Sequence, residues 1–116
     1  MYITTVRKIN RNFNWINREV FNNELYNFRC VSTYKYEKSG HWAICLGSTC
    51  VDKGEKFCNL KIAEEFPNRQ IFLNILAHEI IHLYQWTVLG HMNHGPTFHE
   101  WANIFDERGI EILEEV

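Results

Sequence analysis

Asn68-Arg69-Gln70-Ile71-Phe72-Leu73-Asn74-Ile75-Leu76-Ala77-His78-Glu79-Ile80-Ile81-His82 is the stretch on which the reading of this chain turns. Its apolar residues are too dense for one face, so the spacing predicts a central helix, running from about Arg69 to Leu89. Pro67 marks the boundary before it, and Asn68 can cap its first turn with a side-chain oxygen. Polar residues inside such a helix are costly unless something pairs with them. His78 and His82 stand one turn apart on the same face, so both imidazoles can point at one metal ion. Glu79 lies beside them, within reach of a water on that metal. His-Glu-x-x-His is the pattern of zinc-dependent peptidases. Neutral imidazole is a good zinc donor near pH 7, and a carboxylate can take the proton of an attacking water. Two surface histidines and a glutamate on an ordinary helix would be the plainer reading, but flanks this apolar argue against it.

A catalytic zinc usually takes three protein ligands and keeps a fourth position open. The extended pattern HExxHxxGxxH requires glycine at 85 and histidine at 88, where this chain has Gln85 and Val88. Glu100 lies at a permissible separation but lacks a supporting pattern. The favoured third ligand is His94, in Gly90-His91-Met92-Asn93-His94-Gly95-Pro96-Thr97-Phe98. Gly90 suits a left-handed C-cap and Pro96 suits the first turn of a following helix. His94 then sits on a short connection folding back over the end of the first helix. His91 competes for the role, its other reading being a solvated turn residue. His99 falls off the apolar stripe Phe98, Trp101, Ala102, Phe105 and is expected at the surface or as a supporting partner.

The run HEIIH followed by NHGPTFHEW resembles the SprT-like family of zinc metallopeptidases, the Spartan-type protease core. The resemblance implies zinc held by His78, His82 and His94, with Glu79 as the general base. It also implies cleavage of protein substrates, DNA-associated proteins among them. Phe21-Asn22-Asn23-Glu24-Leu25 is similar to the family's loop after its first helix. Gly47 with Cys45 or Cys50 lies where the family has a glycine–cysteine stretch between strands. Many relatives carry a zinc ribbon or DNA-binding segment after the core, but this chain has no paired CxxC. Two other readings stand beside the peptidase: a non-catalytic, zinc-stabilised binding or assembly module, and a hydrolase of a non-protein amide such as a cell-wall peptide. An intact Glu79 favours an enzyme, since a binding module needs no general base.

The 116 residues suggest one domain, 1–116, whose apolar content of 46% and aromatic content of 15% fit a folded core. Nothing approaches the length of a membrane span, and the start lacks a secretory segment, so a cytoplasmic location is expected (a host's, for a phage protein). Cys30, Cys45, Cys50 and Cys58 match no common zinc spacing and are expected to be buried, reduced thiols. Up to Lys38, seven basic residues face three acidic ones, a net of +4, which leaves −6 elsewhere in a chain of net −2. Arg7, Lys8, Arg11 and Arg18, interleaved with Asn10, Asn12, Asn14 and Asn17, can contact DNA phosphates. The solvated face of an amphipathic helix is the plainer reading.

Ile3, Val6, Ile9, Phe13, Ile16 and Val20 recur at helical spacing, predicting a first helix over about 3–21. Phe28–Tyr36, His41–Leu46 and Phe57–Ala63 read as strands separated by turns at Ser39-Gly40 and Asp52–Glu55. They predict a three-stranded antiparallel meander. Pro96 to about Arg108 forms a last helix, stopped by Gly109, and the tail Ile110, Ile112, Leu113, Val116 resists assignment. The fold class is α+β: an N-terminal helix, a small antiparallel sheet, the HExxH helix and a following helix. Substrate is expected to pair along an exposed strand beside the metal. Second partners for the ligand imidazoles are required, Asp106 and Glu100 being conceivable. An oxyanion donor is expected as well, with His41 and His91 as candidates and Tyr84 pointing away from the metal. Trp86, Phe98 and Trp101 are expected to wall the site by packing.

Overall fold

The computed structural model describes residues 1–37 and 40–112. In chain order the elements are β1 (Tyr2–Ile3), α1 (Val6–Val20), β2 (Val31–Tyr34), β3 (Ala43–Thr49), β4 (Lys56–Ala63), β5 (Glu65–Phe66), α2 (Arg69–Tyr84), a π-helical turn (Gln85–Leu89) and α3 (Pro96–Glu107). This is the expected α+β architecture, and the sheet departs from expectation in detail.

Helix α2 is the centre of the molecule. Asn68 caps it, its side-chain oxygen accepting from the Ile71 N–H at 2.9 Å. Every residue from Ile75 to Leu83 is buried, with α1, the sheet and α3 packed around the helix. The regular α-helix ends at Tyr84, earlier than predicted. A wider turn follows, in which the Gly90 N–H bonds the Gln85 carbonyl and Gly90 takes φ 80°. The left-handed stop at Gly90 is therefore present, with a π turn before it.

Helix α1 starts at Val6 because Thr5 caps it, accepting from the Lys8 N–H at 3.2 Å. The residues before it form a two-stranded antiparallel ribbon, Tyr2 opposite Phe66 and Ile3 opposite Glu65. Ile9, Phe13 and Ile16 face the core, as the spacing predicts. Asn12 and Asn17 do not face solvent. Asn17 bonds Leu25 in both directions, donating to its carbonyl at 2.8 Å and accepting from its N–H at 3.1 Å. That clamp holds the loop in which Asn22 and Asn23 adopt positive φ. Two of the four asparagines expected at a phosphate-contacting face are thus packing residues.

The three-stranded sheet has the order β2-β4-β3, with β3 antiparallel to β4 but β2 parallel to it. It is not a meander. A meander assumes that each strand lies beside its predecessor. Here β2 and β3 lie on opposite sides of β4. Side-chain alternation fixes which face of a strand is buried, not which strand lies next to it. β4, in the middle, buries Cys58, Leu60, Ile62 and Ala63, and β3 is left at an edge. The glycine–cysteine stretch lies within β3 and its end, not between strands.

Rings tie these layers together. Tyr36 stacks on Trp42 (3.7 Å between centroids), Trp42 on Phe66 (4.9 Å) and Phe72 on Tyr2 (5.0 Å), while Phe66 meets Phe72 edge to face (5.6 Å). Helix α3 begins at Pro96 and closes through Gly109 (φ 83°), with the Gly109 N–H on the Asp106 carbonyl and the Ile110 N–H on the Phe105 carbonyl. Ile110 is thereby turned into the core. Leu113 and Val116 of the tail, and Ser39 of the expected turn, lie outside the described residues. All four cysteines are free. Cys58 is buried, Cys45 and Cys50 are half-buried, and Cys30 is exposed, contrary to expectation.

Gly47 lies under the Trp86 indole, whose Nε1 donates to the Ser48 carbonyl at 2.9 Å. A Cβ at Gly47 would meet ring carbons at 2.9–3.1 Å. Gly47→Ala should therefore cost about 1–3 kcal/mol in urea unfolding. A Trp86→Ala background should recover part of that cost in a double-mutant cycle. Equal costs in both backgrounds would show that the clash is not the cause.

Candidate metal centre

His78 and His82 project from one face of α2, and His94 reaches them from the connection before α3. His82 Nε2 lies 3.2 Å from His78 Nε2 and 3.1 Å from His94 Nε2. Zinc–nitrogen bonds of 2.0–2.1 Å in a tetrahedron place neighbouring donors about 3.3 Å apart. The ligand atoms of the three histidines all lie within 4.8 Å of one another, and among the described residues no other group of three His, Cys, Asp or Glu is so placed. The three histidines could hold a metal ion. The donor set, imidazole nitrogens alone, suits zinc.

Local structure explains how each arrives. The i, i+4 spacing sets the His78 and His82 rings edge to face, 4.8 Å between centroids. Asn93 folds its side-chain oxygen onto the Gly95 N–H at 2.9 Å, a turn that presents the intervening His94. Phe98, from the first turn of α3, forms the floor, with its ring 4.9, 5.3 and 4.7 Å from those of His78, His82 and His94. Burial pushes the His82 pKa down; its bond to Gln85 pulls it up and His94 pushes it down again.

Glu79 is 3% exposed, with Oε1 3.9 Å from His78 Nε2. The backbone N–H of Cys45 donates to its carboxylate. That amide is free to do so because of sheet register. The Ala63 N–H bonds the Trp42 carbonyl and the Cys50 N–H bonds the Glu55 carbonyl. In an antiparallel pair such bonding alternates, so the even-numbered residues of β3 face β4. Ala43, Cys45, Gly47 and Thr49 present their backbone groups to the open edge. Glu79 therefore sits where the free edge of β3 meets the histidines.

The other candidates fall elsewhere. His91 and His99 are exposed and outside the cluster, as is Glu100. Asp106 is exposed, its carbonyl closing α3, so neither acidic candidate supports an imidazole of the cluster. Gln85 does so instead, with Oε1 2.8 Å from His82 Nδ1. A polar residue three positions after His82 on a buried helix was the available signal. Tyr84 packs against Phe21 and Trp101, away from the metal face. Trp101 also stacks on Phe21, and Trp86 covers β3. Tyr34, not singled out by the sequence, donates its hydroxyl to the carbonyl of His41, two residues before β3. Burial, and then the charge of Glu79, raises its pKa. The Cys45 thiol is also raised, by its hydrogen bond to Cys58 and by burial, which keeps it unreactive.

The family model described as SprT-like matches residues 9–113, nearly the whole chain. The chain belongs to the SprT-like family. The match spans the elements that build the centre, from α1 through α3 of this SprT-like protein. No curated protein and no solved structure matches it. No helix among the described residues is long and apolar enough to cross a membrane.

Burial raises the Glu79 carboxyl to about 8, and the Cys45 amide opposes the rise. An unfolded glutamate titrates at about 4.3. Between these values the unfolded chain has lost a proton that the folded chain retains, so stability falls as pH rises through that window. In chelator-treated protein, the stability advantage of Glu79→Gln over wild type should widen from about pH 4.5 to pH 8, by up to about 1.4 kcal/mol per pH unit. It should be constant above that range. Urea titrations at successive pH values measure this, and a pH-independent gap would mean that Glu79 is ionised throughout.

Proposed function

We propose that this SprT-like protein is a zinc-dependent endopeptidase acting on protein substrates. One observation carries the reading: a buried carboxylate, Glu79, stands beside three converging imidazoles at the open edge of a strand. His78, His82 and His94 would hold the zinc, which when bound supplies Lewis acidity and lowers the pKa of a coordinated water to about 7. Glu79 accepts the proton of the attacking water and returns it to the leaving amine. The Cys45 N–H orients the carboxylate for that transfer. An extended substrate adds to β3, using the outward Cys45 carbonyl and Gly47 N–H, the Cys45 N–H being committed to Glu79. Phe98 and α2 keep His78 and His82 buried, while His94 closes the site from the exposed side. The free thiols go with a reducing, cytoplasmic setting.

We further propose that substrates on DNA are reached through α1. Arg7, Arg11 and Arg18 lie on its outward ridge with Trp15, which is 38% exposed among them. Guanidinium groups flanking an exposed indole suit phosphates and an unpaired base. Arg18 is held by Glu19 at 3.2 Å, leaving Arg7 and Arg11 as the stronger pair.

Cleavage of a basic DNA-binding protein by the zinc-loaded chain, with and without single-stranded DNA, tests both proposals. Glu79→Gln should retain one zinc and lose activity by about 10²–10⁴-fold. Wild-type protein holding one zinc and cleaving nothing would overturn the peptidase reading in favour of a non-catalytic binding module. Charge reversal at Arg7 and Arg11 should abolish any stimulation by DNA while DNA-free cleavage stays unchanged. Undiminished stimulation would remove α1 as the contact surface.

A further inference from the structure

We infer that Gln85, the residue that breaks the extended HExxHxxGxxH pattern, is the positioning residue of the centre: it sets the tautomer of His82 and locks the connection carrying His94 to the end of α2. This rests on the reading of the three histidines as metal ligands.

Gln85 is fully buried in the first position of the π turn. Its side-chain oxygen has two partners, His82 Nδ1 at 2.8 Å and the Asn93 backbone N–H at 3.2 Å. The second partner decides the orientation of the amide. A backbone N–H can only donate, so the atom facing it is the oxygen, and reversing the amide would set two donors against each other. With that oxygen fixed, His82 Nδ1 must carry the hydrogen. His82 Nε2 is then the lone-pair nitrogen, and it is the one aimed at His78 and His94. A ligand imidazole oriented through its other nitrogen is the general arrangement at metal sites.

The same residue holds the 90–93 connection by its backbone. The Gln85 carbonyl accepts from the Gly90 N–H and from the His91 N–H, the latter at 3.3 Å. Three attachments, at Gly90, His91 and Asn93, thus converge on one residue, and His94 follows directly. The bond from Gly90 spans five residues, the spacing that makes the turn π rather than α. Gln85 Nε2, by contrast, is buried without a hydrogen-bond partner. An orphan donor of this kind lowers stability. The amide is therefore held in place by its oxygen, and a carboxylate could do the same work.

The test compares wild type, Gln85→Leu and Gln85→Glu. Long-range ¹H–¹⁵N spectra of metal-free wild type should show His82 as the Nδ1–H tautomer. Zinc affinity measured by chelator competition should fall about 10–100-fold in Gln85→Leu and be retained in Gln85→Glu, which restores the acceptor. The cobalt-substituted Leu variant should show an altered ligand-field spectrum. An Nε2–H tautomer in wild type would overturn the inference even if the Leu variant fails to fold. So would a folded Leu variant with wild-type zinc affinity. Wild-type protein that binds no zinc would instead refute the metal reading on which the inference stands.

Discussion

His78, Glu79 and His82 occupy a turn of helix from which water is almost excluded, and the structure around them answers that desolvation. An imidazole buried against an aromatic floor stays neutral and keeps a lone pair for a metal. A carboxylate buried beside it is driven towards its protonated form, and only a well-aimed donor resists that drive. Here the donor is a main-chain amide, the Cys45 N–H. An amide is available at this place only because β3 is an edge strand whose odd-numbered residues leave their backbone groups unpaired. Sheet order and site chemistry are therefore one constraint. Had β3 been the middle strand, the Cys45 N–H would have been consumed by the sheet.

The clearest parts of the fold in the sequence were those with short-range causes. Asn68 and Gly90 mark the ends of the central helix through local backbone chemistry, and both act where the pattern placed them. The apolar density around His78 foretold a helix buried on every side. The histidines drawn together are the three that motif spacing and the Gly90–Pro96 connection selected. Strand order was not legible, because the chain's period records which face is buried and is silent about neighbours. The parallel pairing of β2 with β4 is a long-range choice, as is the ribbon joining Tyr2 to Phe66.

Gln85 and the Cys45 amide were missed for different reasons. Gln85 carries a side-chain signal, a polar residue one turn beyond His82 on a buried helix, and against the HExxHxxGxxH pattern it stands only as a mismatch. The Cys45 amide carries none, since every residue but proline has the same group and only tertiary register selects this one. Asn12 and Asn17 show the converse. As letters among arginines they look like a polar surface. In the structure one bonds the Lys8 carbonyl of its own helix and the other clamps Leu25.

The open edge of β3 has a further cost, in solubility. Ala43-Ile44-Cys45-Leu46-Gly47-Ser48-Thr49 contains no charged residue and no proline, and Ile44 and Leu46 are 38% and 46% exposed. Edge strands are ordinarily blunted by a lysine, a proline or a bulge, and none of these stands in this segment. Such a strand pairs with an incoming chain regardless of whose chain it is, so a second copy competes for the same backbone groups as a substrate would. An unblunted edge of this kind is what favours pairing between copies, and it is the same feature that leaves the Cys45 N–H available to Glu79.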